Sequence, residues 1–477
     1  MIQMQEKPVP YGEEVEQALL SILLRENQSV EYLPDTFQEA HFYIPLHQKI
    51  FKTILFFVQR GHVANPITLA QYFKQQAGEE EHAIAYLKEL AALVLPVRNT
   101  KDYARQIYDF YVRRQLIDIG QTLVEEVSVV SLEGPTPSQH IEHLEHKLFT
   151  LSEWGLARGP VPFSTALADA ISMAEAAYQR EGHVVGIGTG LCDLDKLLGG
   201  LHPQDLLILA GRPSMGKTAL ATNIAFNAAL AFSKDPSKGG APVAFFSLEM
   251  SSTQLAMRLL GQETGISSDR IRRGAIEQAN FPAFVACARA LHTLPLFIDD
   301  TPALSIAGLL TRARRLKRKE GIGLIVIDYL QLLSSGKSSH EGRVQELSEI
   351  TRGLKALAKE LKVPVLALSQ LSRAVELRDD KRPQLSDLRE SGTIEQDADV
   401  VMFVYREEYY EARKKPAEGS EKMAAWQNHM AKVYNVAELI IAKQRHGPIA
   451  TLMLHYDGQR TKFSNLATET QKGLGVP

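Results

Sequence analysis

The sequence predicts a multidomain protein: an all-α N-terminal domain, a linker helix, and a larger C-terminal α/β domain built around a phosphate-binding loop. Three observations predict this fold class. The chain of 477 residues is too long for a single hydrophobic core. Residues 12–155 carry apolar side chains at helical spacing, whereas from residue 189 short apolar runs alternate with helical segments. One of those runs leads into a glycine-rich turn that opens a helix.

Bulk composition and charge exclude few classes of protein. Hydrophobic residues make up 45% of the chain and charged residues 23%, as in an ordinary globular protein. The net charge of −3 gives no support to nucleic-acid binding, although a local basic channel can coexist with an acidic exterior. Cys192 and Cys287 have neither metal-ligand nor disulfide spacing. We expect both to be buried in a cytoplasmic protein, with no signal peptide and no membrane-spanning run.

The N-terminal domain, residues 1–155, is predicted to be a compact helical bundle that ends in a helical hairpin. Apolar residues recur at helical spacing in six segments: 13–24, 47–58, 68–73, 86–95, 100–130 and 138–154. Histidines are scattered through this half without the spacing of a catalytic or metal site. We therefore expect them to be surface residues or to be satisfied by ordinary hydrogen bonds.

Residues 156–188 are predicted to be a linker that contains one amphipathic helix. Prolines and glycines precede the helix, Ser164 is the expected N-cap, and the helical pattern runs to about residue 180. A single helix between two linkers cannot bury its apolar face alone. We expect it to pack on a neighbour, either in the same chain or in another subunit.

The C-terminal domain, residues 189–477, is predicted to contain a largely parallel sheet covered on both faces, because its central strands are continuous apolar runs. Eight strands are expected: 206–210, 243–248, 296–299, 324–328, 365–369, 400–405, 439–443 and 451–455. The last two, joined by a short turn at Gly447-Pro448, are predicted to form an antiparallel hairpin at the edge of the sheet. Residues 407–432 are polar and are expected to be a surface insertion.

The stretch GRPSMGKT at 211–218 fits the phosphate-loop pattern and lies between a predicted strand and a predicted helix. A turn of this kind points backbone N–H groups at a phosphate, and the helix N-terminus adds its positive dipole end. Lys217 is expected to reach the β- and γ-phosphates, and the Thr218 hydroxyl to hold Mg²⁺.

Two acidic residues follow predicted strands and are candidates for the chemistry. Asp328 ends the apolar run 324–328 and is expected to anchor the Mg²⁺ shell. Residue 329 is a tyrosine, so a base that deprotonates water must come from a neighbouring strand. Glu249, after the strand at 243–248, is the obvious candidate, since strand ends carry function in open α/β sheets. The alternative is that Glu249 only stabilises the start of the next helix.

Gln370 ends another strand, where a neutral amide is placed to sense the γ-phosphate; a polar residue at a sheet edge is the alternative. The segment 371–396 that follows is long and basic, and 334–346 is a second polar loop. Two such loops at one edge are predicted to track a nucleic-acid backbone, against the alternative of plain solvated loops. Their cations are Lys337, Arg343, Arg373, Arg378, Lys381, Arg382 and Arg389.

The predicted strand at 439–443 ends in Lys443, and Arg445 comes two residues later. An arginine in such a position can stabilise transition-state charge, in its own subunit or in a neighbouring one, and a solvated strand end is the alternative. The basic run at 312–319 is weaker evidence for a binding site, because its spacing is typical of the exposed side of a packed helix.

Taken together, these motifs resemble those of the bacterial replicative DNA helicase family (DnaB type), whose motor domain is a RecA-like phosphate-loop NTPase domain. The resemblance rests on GRPSMGKT at 211–218, FSLEMS at 246–251, LIVIDYLQL at 324–332, LSDLRESG at 385–392 and IAKQRHGP at 441–448. In the N-terminal half, EVEQALL at 14–20 and Phe42-Tyr43 with His47 are similar to the family's helical collar domain.

The resemblance implies a homohexameric ring that uses ATP to translocate 5′ to 3′ on single-stranded DNA and to unwind the duplex at a replication fork. It also implies contact with primase and with a helicase loader. Among the implied site residues, Glu249, Lys217 and Arg445 are catalytic, and Arg389, Glu390 and Gly392 touch DNA, the last two through backbone N–H groups. The implied ATP and Mg²⁺ contacts are Ser214, Met215, Gly216, Lys217, Thr218, Ala219, Arg258, Asp328, Gln370, Lys443 and Arg445, with Thr218 and Asp328 in the metal shell and Lys443 and Arg445 acting in the neighbour's site.

Two other functions fit parts of the sequence. A recombinase-like ATPase that forms filaments on DNA would share the core fold, but the helical N-terminal half and linker helix favour a two-tiered ring. An ATP-switched scaffold that holds primase would need no efficient base, and the presence of Glu249 argues against a pure switch.

Overall fold

The computed structural model describes residues 9–34, 36–74, 80–128, 162–179, 185–236, 239–334, 343–417 and 420–466, with isolated positions between 134 and 151. The chain divides into two compact units, Met1–Ala166 and Leu167–Pro477. Each unit has a hydrophobic core of its own. None of the described helices is both long and apolar enough to cross a membrane.

The N-terminal unit is all-helical, as predicted. Its helices are α1 (Glu13–Arg25), α2 (Pro45–Gln59), α3 (Pro66–Lys74), α4 (Glu80–Ala92) and α5 (Thr100–Ser128), with 3₁₀ turns at Asn27–Tyr32, Glu39–His41 and Val97–Asn99. The core gathers aromatic and aliphatic side chains that are buried on α1 and α2, including Leu19, Leu23, Ile50 and Phe51. The predicted hairpin helix at 138–154 falls largely outside the described residues.

Buried polar side chains join three helices of this unit. His47 on α2 is fully buried, and its Nδ1 lies 2.7 Å from Oε2 of Glu16 on α1. Its Nε2 lies 2.6 Å from the hydroxyl of Tyr86 on α4. The second oxygen of Glu16 accepts the backbone N–H of Tyr43 at 2.7 Å. His47 is therefore satisfied by hydrogen bonds, as the sequence predicts for histidines here.

The predicted linker helix is present as α6 (Phe163–Gln179). Ser164 is not its N-cap, because the helix begins one residue earlier: the backbone N–H groups of Thr165 and Ala166 donate to the Pro162 carbonyl. Proline is well suited to precede a helix, since it has no N–H of its own to satisfy. Apolar side chains along α6 are exposed within the chain: Phe163, Leu167, Ile171 and Tyr178.

The C-terminal unit is built on a nine-stranded sheet with the order β3-β2-β4-β5-β1-β6-β7-β8-β9. Its strands are β1 (Leu206–Gly211), β2 (Val243–Ser247), β3 (Leu296–Asp299), β4 (Leu324–Asp328), β5 (Val365–Gln370), β6 (Val400–Tyr405), β7 (Val436–Gln444), β8 (Ala450–Asp457) and β9 (Lys462–Asn465). The first six strands of this order, β3, β2, β4, β5, β1 and β6, pair in parallel. The last three, β7, β8 and β9, are added to β6 in antiparallel pairs. The predicted parallel sheet is thus confirmed.

Helices cover both faces of this sheet. They are α7 (Cys192–Leu198), α8 (Lys217–Lys234), α9 (Ser252–Thr264), α10 (Ser268–Arg272), α11 (Phe281–Leu291), α12 (Ile306–Glu320), α13 (Arg343–Leu361), α14 (Gly392–Asp397), α15 (Glu407–Glu411) and α16 (Glu421–Val433). Alternate residues of each strand enter different cores: Leu207 and Leu209 pack in the core that contains α8, while Ile208 packs in the core that contains α12 and α13. This alternation explains why the central strands are apolar throughout.

Two further details of the prediction are wrong. The β7–β8 hairpin is antiparallel as expected, but β9 pairs with β8 and forms the edge. The strand β9 has only four residues, of which Phe463 is the one apolar residue, so its period-2 signal is too short to detect. Cys192 is exposed and Cys287 is half-buried. Cys192 opens α7 at the surface, where its backbone N–H donates to Asn465.

Most of the segment 407–432 lies on the surface, as predicted, but Tyr410 is buried and packs in the core that contains α8. It contains α15, a 3₁₀ turn at Ala412–Lys414 and most of α16, and no residue of α16 is fully buried. The indole Nε1 of Trp426 donates to the Glu411 carbonyl at 2.9 Å, which holds α16 against α15.

Candidate active site

One edge of the sheet collects the residues that follow its parallel strands. The carboxyl ends of parallel strands meet at the same edge. The phosphate loop follows β1, Glu249 follows β2, Asp328 ends β4 and Gln370 ends β5. The strand register shows that these strand ends lie side by side: Ser247 pairs with Asp328, and Gly211 pairs with Gln370. The predicted strand-end residues are therefore brought together.

The phosphate loop has the backbone that its sequence predicts. Ser214 and Gly216 have positive φ angles of 68° and 100°, and Gly216 is the N-cap of α8. A Cβ at residue 216 would lie 2.9 Å from the Phe463 ring of β9. Glycine is needed at residue 216 for two separate reasons, its φ angle and the close approach of this ring.

Lys217, the first residue of α8, points its ammonium back over the loop. Its Nζ donates to the carbonyl of Gly211 at 2.8 Å and to that of Arg212 at 3.3 Å. Burial lowers the pKa of Lys217 to about 8, while the carboxylates of Asp328 and Glu249 oppose that shift. Lys217 is therefore still mostly protonated at neutral pH and supplies a poorly hydrated positive charge.

Asp328 is 1% exposed, and neither carboxylate oxygen has a hydrogen-bond partner among the described residues. Burial raises its pKa to about 6, and the nearby Glu249 adds to the shift, whereas Thr218, Lys217 and Arg258 oppose it. Buried carboxylates are normally paired or bound to a metal. Two orphaned oxygens beside the Thr218 hydroxyl fit a hard divalent cation such as Mg²⁺.

Glu249 lies two residues beyond β2, in a turn closed by the Ser247 hydroxyl, which donates to the Met250 carbonyl at 2.6 Å. The Leu248 N–H donates to the Asp328 carbonyl at 2.8 Å, so this turn stays beside β4. The side chain of Glu249 is exposed at the site, as a base that must reach a water molecule requires.

Arg258 is positioned by the start of α9. Ser251 and Gln254 form a reciprocal capping box there, which fixes where the helix begins. One to two turns later, the half-buried Arg258 lies within electrostatic reach of Tyr456, Asp328 and Glu249, and burial lowers its pKa. The structure thus adds Arg258 to the same site.

Gln370 is exposed at the end of β5 and is held by a second amide. Oε1 of Gln331 accepts the backbone N–H of Gln370 at 3.3 Å. The amide nitrogen of Gln331 donates to the Ser369 hydroxyl at 2.9 Å and to the Gln370 carbonyl at 3.3 Å. Gln331 therefore fixes the backbone from which Gln370 projects.

The loop is also tied to the segment that follows β5. The Arg212 Nε donates to Glu376 at 2.9 Å, and its Nη1 donates to the Leu371 carbonyl at 2.9 Å. The Tyr410 hydroxyl donates to the same Glu376 oxygen at 3.3 Å. Burial is the largest cause that raises the pKa of Tyr410 to about 12, so this hydroxyl stays a donor.

Arg406, directly after β6, covers the loop from the other side. Its guanidinium lies 4.0 Å from the centre of the Tyr456 ring, and its Nη1 donates to the Ser214 carbonyl at 3.4 Å. Tyr456 packs on Phe463, with ring centres 4.7 Å apart. These residues of β8 and β9 form an aromatic wall beside Gly216.

Lys443 and Arg445 are not in this cluster. They lie at the far end of β7, where Gln444 pairs with Val400, the first residue of β6. Because β6 runs parallel to β1, this end lies at the opposite edge of the sheet from the phosphate loop. Within one chain the structure therefore separates Arg445 from Lys217 and Glu249.

The segment 371–396 is more ordered than the predicted loop. It contains 3₁₀ turns at Arg373–Leu377 and Leu385–Ser391 and then α14. Three of its predicted DNA-tracking cations have partners within the chain: Arg378 binds Asp387, Lys381 donates to the Glu376 carbonyl, and Arg382 binds Glu438 and Glu407. The side chains of residues 389–393, which include Arg389, Glu390 and Gly392, and loop residues 335–342 lie outside the described part.

Several residues of the site were missed by the sequence analysis. Arg406 was detectable, because it follows a predicted strand just as Glu249 does. Arg212 was quoted only as a variable position of the phosphate loop. Gln331, Glu376 and the aromatic pair on β8 and β9 carry no local signal, since long-range packing brings them to the site.

Two family models match the two halves of this chain. Residues 186–465 match the model described as the DnaB-like helicase C terminal domain, and residues 9–109 match the DnaB-like helicase N terminal domain. The chain is 48% identical over 468 residues to the replicative DNA helicase DnaB of Rickettsia conorii (strain ATCC VR-613 / Malish 7). That match covers 97% of this chain and 94% of the relative.

Two solved structures are also similar. A DnaB-like replicative helicase, described with its interactions with primase, aligns with a TM-score of 0.70 and 30% identity over 96% of this chain and 100% of its own. A second structure, described as an ATPase domain, aligns with a TM-score of 0.55 and 34% identity over 65% of this chain and 100% of its own.

Proposed function

Because the chain belongs to the DnaB-like family of replicative, ATP-dependent DNA helicases, we propose that it works as a homohexameric ring that moves 5′ to 3′ along single-stranded DNA. The ring separates the duplex at a replication fork in the cytoplasm. Residues 1–155 form the collar, 156–188 the linker and 189–477 the motor.

One observation carries the proposal: Lys217, Asp328 and Glu249 lie at the opposite side of the sheet from Lys443 and Arg445. The edge with Lys217, Asp328 and Glu249 binds and activates the nucleotide, and the edge with Lys443 and Arg445 faces the next subunit. A head-to-tail arrangement places one of these edges against the other at every interface. Hydrolysis then depends on assembly.

The residues take the following roles in hydrolysis. Backbone N–H groups from Ser214 to Ala219, Met215 among them, surround the phosphates, and Lys217 binds the β- and γ-oxygens. Thr218 and Asp328 would hold Mg²⁺, which would supply positive charge to the phosphate oxygens. Glu249 accepts the proton of the water that attacks the γ-phosphorus.

Three further groups complete the site. Arg258 lies beside the two carboxylates and contacts the nucleotide. Gln370 senses whether a γ-phosphate is present, and its neighbouring segment carries that information to the DNA contacts Arg389, Glu390 and Gly392. Arg445, with Lys443, stabilises the charge that develops on the neighbour's phosphate.

The collar binds primase, and a loader places the ring on DNA. Support for the primase contact is the alignment over 96% of this chain with a helicase described with primase. A helicase loader is implied because a closed ring has no free end through which an internal single strand can enter.

The experiment that tests this function is ATP-dependent unwinding of a forked duplex whose free tail is either 5′ or 3′. We expect unwinding only with the 5′ tail, and none with Lys217→Ala or Arg445→Ala, each of which should still assemble. Unwinding by Lys217→Ala, or equal unwinding from both tails, would contradict the proposal.

A further inference from the structure

The cations Lys443 and Arg445 are held by backbone carbonyls at the carboxyl end of α14. The Lys443 Nζ donates to the carbonyls of Glu395, Ala398 and Gln396 at 2.6, 2.8 and 3.4 Å. A lysine at the carboxyl end of a helix satisfies its last carbonyls and complements its dipole. In the single chain the Lys443 ammonium is therefore anchored at the carboxyl end of α14.

Arg445 is held less completely. Its Nη2 donates to the Gln396 carbonyl at 2.9 Å, and its backbone N–H donates to the Asp399 carbonyl at 2.9 Å. The Nη1 lies 3.3 Å from Oδ1 of Asp399, and the side chain remains 44% exposed. The guanidinium thus has a defined direction and keeps donors for a further anion.

Asp399 is a buried carboxylate, 4% exposed at its side chain, whose two oxygens have different partners. Oδ2 accepts the Leu206 N–H at 2.8 Å and contacts the Lys355 ammonium. Oδ1 faces Arg445. One oxygen therefore anchors Asp399 to the start of β1 and to α13, and the other is directed to Arg445.

From these contacts we propose that Asp399 is a positioning residue that aims Arg445 at the ATP bound by the neighbouring subunit. The inference rests on the proposed function. The same contacts join Arg445 to α14, whose first residue, Gly392, is a proposed DNA contact. A shift of α14 when DNA binds therefore moves Arg445, so DNA occupancy in one subunit controls hydrolysis in the next.

The alternative is that Asp399 is only part of a structural ion pair. If the role is structural, loss of Asp399 lowers the stability of every interface, and a subunit with an intact Asp399 cannot restore activity in its neighbour. If the role is positioning, the effect is felt in the neighbour's ATP site. A subunit with an intact Asp399 and Arg445 then restores hydrolysis in the neighbour that it faces. Mixed rings separate the two roles.

Asp399→Asn is the informative variant. The carboxamide oxygen still accepts from Leu206, while an amide NH₂ replaces the acceptor opposite Arg445. We expect its DNA-stimulated ATPase rate to fall about 10- to 100-fold, as expected for a misplaced catalytic group. Nucleotide affinity should stay within about twofold, because the phosphate loop is intact. Asp399→Ser, whose short hydroxyl keeps an acceptor without reaching Arg445, is the second variant if the first does not assemble.

The decisive measurement uses rings purified from two co-expressed, differently tagged subunits. Lys217→Ala subunits have no working site of their own but present an intact Arg445 to their neighbour. Mixing them with Asp399→Asn should raise the DNA-stimulated ATPase above that of either uniform ring. Mixing them with Arg445→Ala is the reference for recovery across the interface.

Asp299→Asn is the matched control. Asp299 ends β3, the outermost parallel strand of the sheet, and accepts from Arg312 and from the Thr301 N–H. Its loss removes a comparable aspartate–arginine pair and should leave DNA stimulation unchanged.

The outcomes are distinguishable. Recovery with both Arg445→Ala and Asp399→Asn supports the inference. Recovery with Arg445→Ala but not with Asp399→Asn, or a wild-type rate for uniform Asp399→Asn rings, overturns the inference and leaves the proposed function intact. Recovery with neither overturns action across the subunit interface, and the inference falls with it.

Discussion

At the scale of single residues, the site contains a carboxylate, Asp328, that is buried where the charged form is disfavoured. Asp328 is buried without hydrogen-bond partners among the described residues, and its pKa is raised to about 6, against an ordinary value of 3.8. A carboxylate in this state destabilises the folded chain until a cation binds it. We therefore expect the nucleotide-free site to lower the stability of the folded chain.

Asp328→Asn should therefore raise the thermal stability of the nucleotide-free protein at pH 7 while abolishing ATPase activity. A pKa shift of about two units corresponds to at most about 3 kcal/mol. Between the unfolded pKa and the raised folded pKa, the folded state binds more protons, so this group's contribution to stability falls as pH rises from about 4 to about 6. The difference between variant and wild type should then shrink as pH falls from 6 to 4, as measured by thermal unfolding.

Asp387→Asn is the control for that comparison. Asp387 is also buried, but Oδ2 accepts from Arg378 and from the Gln384 N–H, both at 2.7 Å. Its replacement should lower stability. A stabilised Asp387→Asn, or a destabilised Asp328→Asn, would contradict the account of Asp328 as a buried carboxylate whose burial outweighs the favourable charges around it.

Residue-scale prediction succeeded where a side chain follows a strand. Asp328, Glu249 and Gln370 were found because parallel strands end at one edge, which is a property of the chain's local pattern. Asp399 and Gln331 escaped because their partners are 193 and 38 residues away in sequence. No periodicity records such contacts, which arise only when separate elements pack.

At the scale of elements, the turn between β1 and α8 combines backbone strain with close packing. The φ of Gly216 is 100°, and a Cβ there would meet Phe463 at 2.9 Å. Strand β9, which supplies that ring, was not predicted. The requirement for glycine that comes from packing against Phe463 could therefore not be predicted from the sequence. The requirement that comes from the positive φ angle was predictable, because the phosphate-loop pattern requires glycine there.

Gly216→Ala should therefore abolish nucleotide binding, measured with a fluorescent ATP analogue. Gly321→Ala is the matched control, because Gly321 also has a positive φ, of 65°, but has no atom within 4 Å of the added Cβ. The control should lose about 1 kcal/mol of stability and keep its nucleotide affinity. Equal effects of the two changes would mean that strain alone, without Phe463, accounts for the requirement.

The Arg212–Glu376 bond connects two elements that the sequence separates by 164 residues. Glu376→Ala removes the acceptor shared by Arg212 and Tyr410 and frees the segment between β5 and α14. We expect the nucleotide affinity to be kept and the stimulation of ATPase by single-stranded DNA to fall several-fold, since the loop and the DNA-facing segment no longer move together.

Glu263→Ala provides the comparison for Glu376→Ala. Glu263 binds Lys462 at 3.0 Å at similar exposure, but on α9 and away from the segment between β5 and α14. Its ATPase and DNA stimulation should match wild type, because exposed ion pairs contribute little. Loss of basal ATPase in Glu376→Ala to the same degree as DNA stimulation would argue against a connecting role.

At the scale of the whole molecule, α6 presents an apolar face that its own chain leaves exposed. Leu167 and Ile171 are 47% and 51% exposed, one helical turn apart. Helices that leave such a face uncovered usually bury it in an assembly. The proposed ring supplies that partner as a neighbouring subunit.

A Leu167→Glu/Ile171→Glu double variant should thus fail to form the six-chain assembly while retaining the circular dichroism of a folded protein. Thr165→Glu, an exposed position on a different face of α6, should assemble normally. Mass photometry at fixed protein concentration distinguishes the two. Normal assembly of the double variant would place this helix outside the interface.

The placement of Lys217 and Arg445 at opposite edges of one sheet has a numerical consequence for any assembly of this chain. In the proposed ring each subunit would contribute Arg445 to one neighbour's site and receive it from the other neighbour, so the number of complete sites would equal the number of closed interfaces. A linear array of six contains five complete sites, and a closed ring of six contains six. Opening the proposed ring at one interface would therefore silence one site and leave the other five able to turn over.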